Sequence, residues 1–246
     1  MRVALFVPCY VDQLWPEVGL AAAEVLERLG VEVGFPEAQT CCGQPFANAG
    51  FEAEARGLAR RFLQVFEGSE HVVCPSGSCV AMVRRHFGPL LGEPVPFGER
   101  VHELCEFLVD VLGAPSLGAR FPRRVGLHPS CHGLRELRLA RASERAEPAF
   151  DKVSELLGSV AGLELVVPER SDECCGFGGS FAVDEPEVSC RMGLDRLLAH
   201  ERAGAEVITS VDASCLLHLR GLAERRGSPL RVMHVAEILA GREPPG

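Results

Sequence analysis

The chain has 246 residues, 47% hydrophobic and 24% charged, with a formal net charge of −9. A composition of this kind is globular and excludes long disordered tails, and the acidic balance excludes a nucleic-acid backbone as partner, because such partners select basic patches. No apolar stretch approaches the ~20 residues needed to span a bilayer, and the opening MRVALFVPCYVDQLWP is too short in its apolar part for a secretory signal; a soluble, cytoplasmic protein is expected.

Along the chain, the apolar runs VALFV (3–7), VEVGF (31–35) and HVVC (71–74) read as buried parallel strands. Stretches 52–66 and 99–112 carry apolar residues on one face and charges on the other, the helical pattern. The Pro- and Gly-bearing APSLGARFP (114–122) reads as a linker. Beyond it RVGLH (124–128), LELVV (163–167) and EVITSV (206–211) repeat the strand signal, with helices over 187–203 and in the closing RVMHVAEILAG (231–241). The arginine-rich GLRELRLARASER (133–145) reads as a solvated helix face. The expected fold class is α/β, as two tandem repeated units with mostly parallel sheets, one over 1–116 and one over 120–246.

The repeat is visible in the residues themselves. RVALFVPC, ending at Cys9, answers RVGLHPSC, ending at Cys131; TCCGQPFANAGFEAE answers ECCGFGGSFAVDEPE; VVCPSGSCVAMVRR answers VITSVDASCLLHLRG. Each half therefore supplies four cysteines from three strand ends: Cys9, Cys41, Cys42 and Cys79 in the first, Cys131, Cys174, Cys175 and Cys215 in the second. Open parallel sheets build their ligand sites outside the carboxyl ends of the strands, which is where these cysteines fall. The chain has 11 cysteines, and a reducing compartment disfavours structural disulfides, so these thiols are expected to bind metal or do redox chemistry. Soft thiolates in fours suit zinc or an iron–sulfur cluster. A directly adjacent pair suits a body of several metal atoms better than one ion, and the glycine after each pair frees the backbone to turn. Cys105 and Cys190 lie in helical patterns without a repeat partner and are expected in the core.

HPSCHGLR (128–135), CCGFGGSFAVDEPEVSCRMGLDRL (174–197) and SVDASCLLHLRG (210–221) resemble the cysteine-rich CCG domain family. That domain occurs twice in heterodisulfide reductase B subunits and in glycolate oxidase iron–sulfur subunits, and the resemblance to its lactate-utilization members covers nearly the whole chain. It implies two CCG domains, iron–sulfur binding, and oxidation of L-lactate, a small 2-hydroxy acid, to pyruvate alongside two sister subunits, one of them ferredoxin-like. The heterodisulfide reductase pattern closes each site with CxxC, giving five cysteines. Here Ser76 and Asp212 stand three residues before Cys79 and Cys215, so a four-cysteine [4Fe–4S] is the simpler expectation, with Cys74 as a candidate fifth ligand in the first half and zinc as the alternative occupant. A thiol–disulfide enzyme and a zinc-bound structural subunit are the rival functions.

The second half is the expected substrate-facing half. His128 and His132 flank Cys131, His218 follows Cys215 by one helical turn, and Asp212 precedes it, so titratable groups gather there; the first half offers Tyr10 and Met82 in the places of His132 and His218. His132, His218 and Asp212 are thus the candidate catalytic groups, the competing reading being that these histidines cap helices. His102 and His234 recur before the last helix of each half and are expected as caps. The glycines of CGFGGSF lack the G-x-G-x-x-G spacing of a nucleotide loop.

Overall fold

The computed structural model describes residues 1–113 and 116–244; Ala114 and Pro115, the first two residues of the expected linker, lie outside the described residues. The first half runs β1 (Arg2–Leu5), α1 (Cys9–Leu14), α2 (Pro16–Arg28), β2 (Glu32–Gly34), α3 (Gln44–Asn48), α4 (Glu52–Phe66), β3 (Val72–Cys74), α5 (Gly77–Ala81), α6 (Phe87–Leu91), β4 (Val101–Glu103) and α7 (Leu104–Glu106). The second runs β5 (Arg124–Leu127), α8 (Lys152–Gly158), β6 (Glu164–Val166), α9 (Phe181–Asp184), α10 (Pro186–Arg202), β7 (Val207–Ser210), α11 (Ala213–Arg226), β8 (Arg231–His234) and α12 (Val235–Ala240). π-helical segments join α5 to α6 (Met82–His86), extend α7 (Phe107–Val111) and follow Cys131 (His132–Glu136).

Each half forms one parallel four-stranded sheet, in the orders β2-β1-β3-β4 and β6-β5-β7-β8. The central strands β3 and β7 are buried along their whole length, which their unbroken apolar reading requires of a parallel sheet covered on both faces. Helix α4 turns Ala55, Ala59, Phe62 and Phe66 inward, at the i, i+4, i+7, i+11 spacing of one face, and leaves its charged residues outside. Pro16 and Pro186 open α2 and α10, where a missing N–H leaves no intrahelical partner unmet.

The halves pack through reciprocal helices: α12 of the second lies on α2 of the first, and α7 of the first lies on α8 of the second. Arg28 of α2 ties the first contact down, donating to the carbonyl oxygens of Ala240 at 2.9 Å and Leu117 at 3.2 Å. Among the described residues no helix is long and apolar enough to cross a membrane.

Three expectations need correction. Residues 99–112 are not helical throughout: Val101–Glu103 is a strand paired in parallel with β3, and the helix begins at Leu104. The same holds for 231–234, strand β8 on β7. Three or four residues are too few for periodicity to register, and it is the open edge of β3 or β7 that makes them strands. Second, GLRELRLARASER is helical only over its first four residues. Arg138 adopts a positive φ of 57°, and its arginines fold back onto local acids, Arg135 to Glu144 at 2.8 Å and Arg138 to Glu147 at 2.5 Å. Third, His234 caps α12, its Nδ1 accepting from the Ala236 amide at 3.2 Å, but His102 caps nothing; the first-half cap is Glu103, which accepts from the Cys105 and Glu106 amides.

Candidate metal centre

The two cysteine sets meet. Cys9, Cys42 and Cys79 from the first half and Cys131, Cys174, Cys175 and Cys215 from the second line one cavity of about 400 Å³ between the sheets' carboxyl ends. Tyr10, Gln44, His132, Phe177 and Asp212 complete the walls that matter for chemistry. A hollow of about 480 Å³ elsewhere, at Arg2, Gly34, Phe35 and Ser69, holds no thiol or imidazole.

In the first half the Cys9 thiol donates to the Cys41 sulfur at 3.5 Å, and Cys42 donates to Cys79 at 3.5 Å. The adjacent cysteines thus reach in different directions, one to each outlying thiol. The glycine makes this turn: Gly43 has φ +85° and Gly176 φ +88°, where a side chain is strained. Each glycine also donates its N–H to the first sulfur of the pair, Gly43 to Cys41 and Gly176 to Cys174, both at 3.3 Å. Behind each glycine a helix closes in. A Cβ on Gly176 would stand 2.5 Å from the Ser189 carbonyl oxygen and 2.8 Å from Met192 Cβ; one on Gly43 would meet Ala55 and Leu58 at 3.3 Å.

These contacts divide the thiols of each set into lowered and raised members. Cys41 is drawn down to about 3 by hydrogen bonds from Cys42 and Cys9, with the Gly43 amide adding to them. Cys174 is drawn down to about 2 by Cys131 and Cys175, again with its glycine amide. Cys9, Cys42, Cys131 and Cys175 are pushed up in return, as the members that keep their protons. Cys215 lies near 6, held down by Cys175 and then by the neighbouring His128 ring. Four cysteines gathered in each half, with hydrogen bonds that lower Cys41 in one and Cys174 in the other, are the donor set that soft metals take. The residues fit a metal–sulfur centre in either half.

Of the other candidates, Cys74 is wholly buried at the end of β3, its thiol 3.8 Å from the Ser76 carbonyl. Cys105 is wholly buried and Cys190 half-buried. His132 stands on the cavity wall, with Nε2 3.3 Å from Gln44 Nε2 of the other half and 3.5 Å from Glu136. His218 is half-buried, Nε2 3.3 Å from the Ser189 carbonyl, its ring packed toward Phe177.

Asp212 occupies the place of the missing CxxC cysteine, and its carboxylate joins the halves. Oδ1 accepts from Ser76 Oγ at 2.9 Å, from Ser78 Oγ at 2.7 Å and from the Ser78 amide at 3.0 Å, while Oδ2 accepts from Ser130 Oγ. Ser130 is held at a positive φ of 60° beneath it. Sequence reasoning did not find this hub. The signal was the serine triplet Ser76, Ser78 and Ser130, each within five residues of a motif cysteine.

A family model of the cysteine-rich CCG domain matches residues 3–84 and 125–220, one copy per half. The chain is 42% identical to the lactate utilization protein A of Exiguobacterium sp., over 97% of this chain and 96% of that protein. It is likewise 42% identical to the lactate utilization protein A of Geobacillus kaustophilus, over 98% of this chain and all of its relative.

Proposed function

The chain belongs to the cysteine-rich CCG domain family, alongside the lactate utilization A proteins, and on that premise we propose that it is a cytoplasmic iron–sulfur subunit of a multiprotein oxidoreductase that oxidises L-lactate to pyruvate. The observation that carries the reading is the meeting of the two cysteine sets at one cavity, with three of the first set and all four of the second on its wall and Cys41 hydrogen-bonded to Cys9 behind it. In this reading Cys9, Cys41, Cys42 and Cys79 hold one [4Fe–4S] cluster and Cys131, Cys174, Cys175 and Cys215 the other, in two domains spanning 1–116 and 120–246. Such a cluster takes up and passes on single electrons.

The rest of the task falls to the chain's own side chains. A 2-hydroxy acid losing two electrons also loses two protons; in this reading His132, on the cavity wall, accepts one at Nε2, where Glu136 at 3.5 Å pairs with the charged ring, and solvent takes the other. Tyr10 and Phe177, edge to face at 5.8 Å, narrow the cavity around a small substrate. The chain has no motif for a flavin or nicotinamide, so partner subunits, a ferredoxin-like iron–sulfur protein and a third protein, are to deliver electrons onward. The thiol–disulfide alternative is disfavoured because Asp212, in place of the CxxC cysteine, is engaged by three serines.

The test is iron and sulfide analysis with electron paramagnetic resonance on anaerobically purified protein. Two clusters are expected, and Cys174→Ser with Cys175→Ser should remove about half the iron. Zinc in place of iron, or full iron in that double variant, would overturn the reading.

A further inference from the structure

The two halves share a backbone but not the layer beneath their cysteines. In the first half Phe6, one residue past β1, packs edge-on against Phe62 at 5.0 Å and Phe66 at 5.6 Å, both from α4. In the second half the residue one past β5 is His128, and the matching turns of α10 carry Arg196 and His200. An aromatic trio has been exchanged for two imidazoles and a guanidinium.

All three replacements are buried, His128 1% exposed and Arg196 and His200 not at all. The Arg196 Nη1 atom reaches the carbonyls of Glu169 and Arg170, at 3.3 and 2.6 Å. Both ring nitrogens of His128, however, lack a well-formed hydrogen-bond partner among the described residues. A buried polar group left so costs about 1–3 kcal/mol, and a phenylalanine in its place, as in the first half, would cost nothing of the kind. A partner beyond the neighbouring Cys215 sulfur would remove that cost.

Its position says which. A ring nitrogen of His128 and the sulfurs of Cys175 and Cys215 all lie within 4.8 Å of one another. Ligand atoms around one tetrahedral ion, with bonds of about 2.0 Å to nitrogen and 2.3 Å to sulfur, stand roughly 3.5 Å apart, so a small contraction seats a metal atom among the three. Neutral imidazole is a ligand for both iron and zinc.

We propose that His128 is a metal ligand of the second-half centre, beside Cys175 and Cys215, so that the chain holds two unlike centres: all-sulfur in the first half, sulfur and imidazole in the second. The inference rests on the reading that the cysteine sets bind metal. An imidazole donor carries less negative charge than a thiolate, and Arg196 adds a buried cation behind Cys175, so the second centre has the higher reduction potential.

The experiment uses full-length protein carrying Cys41→Ser and Cys42→Ser, prepared anaerobically so that only the second set loads. Iron, sulfide and zinc are quantified first. If the metal is iron, pulsed electron paramagnetic resonance of the reduced protein should detect nitrogen coupling that changes on ¹⁵N-histidine labelling; if zinc, X-ray absorption at the zinc edge should show one nitrogen among sulfurs. His128→Cys should retain the metal and lose the nitrogen, and His128→Phe, with the four cysteines still present, should lose the nitrogen coupling whether or not metal stays. Protein that binds metal without nitrogen, or whose nitrogen survives in both variants, overturns the ligand alone. Protein that binds neither iron nor zinc overturns the metal reading and this ligand with it.

Discussion

The Asp212 carboxylate of the second half accepts the Ser78 hydroxyl of the first at 2.7 Å, in a position 1% exposed to solvent. A charge so buried is stable only while its acceptor sites are filled, and here Ser76, Ser78 and Ser130 fill them from both halves. Asp212→Ala removes the common acceptor and leaves buried hydroxyls unmatched, for an expected loss of about 1–3 kcal/mol for each one left without a partner. Asp212→Asn, which keeps one carbonyl oxygen, should lose less. Denaturant unfolding of the metal-free protein measures both; a variant as stable as wild type would mean that the halves are held by their helices alone.

The two CCG glycines should differ in tolerance. An added Cβ at Gly176 meets the Ser189 carbonyl oxygen at 2.5 Å, backbone that cannot swing aside, whereas at Gly43 the nearest atoms are at 3.3 Å. Both also sit at positive φ. Gly176→Ala is expected to abolish metal binding in the second set, and Gly43→Ala to weaken the first only in part. Metal content per chain decides it, and equal losses would refute the steric argument.

Burial holds His200 near 3, with Arg196 and His128 adding to the effect, and His234 near 4. The unfolded chain takes up these protons near 6.5 while the folded chain does not, so stability present above that pH is lost as pH falls toward the folded values. Between pH 7 and pH 5 each histidine should withdraw about 2 kcal/mol. His200→Phe, which copies Phe66 of the first half, should flatten the profile by that amount, as read from urea unfolding at the two pH values.

Only one of the two candidate catalytic histidines of the second half stands on the cavity wall. His132 lines it, while His218 is engaged by the Ser189 carbonyl. In the reconstituted multiprotein system, His132→Asn should lower lactate-dependent electron transfer about a hundredfold, the low end of the usual range for a general base, at constant iron. His218→Asn should lower it less. A greater loss from Tyr10→Phe would move the chemistry to the first half.

The duplicated α/β pattern, six of the eight strands and both cysteine sets could be read from the sequence, because buried parallel strands are unbroken apolar runs and the CCG pairs recur in order. Strands β4 and β8 escaped, since a strand of three or four residues running straight into a helix has no period of its own. The exchange of Phe6, Phe62 and Phe66 for His128, Arg196 and His200 was present in the aligned residues. Its meaning depended on knowing that all six point inward, which only packing reveals. The Asp212 hub was harder to read: its serines stand beside the motif cysteines, but Ser78 and Asp212 are 134 residues apart and only folding pairs them.

The reciprocal packing of α12 on α2 and of α7 on α8 is what a twofold rotation would produce if it exchanged the halves. A single ancestral repeat with this surface would have had its partner in another copy of itself, with two identical centres facing across a homodimer's axis. Within one chain each half is free of having to match the other. Asp212 therefore stands on one side and Ser76 and Ser78 answer it on the other, a contact made once, where a symmetric dimer would have to make it twice.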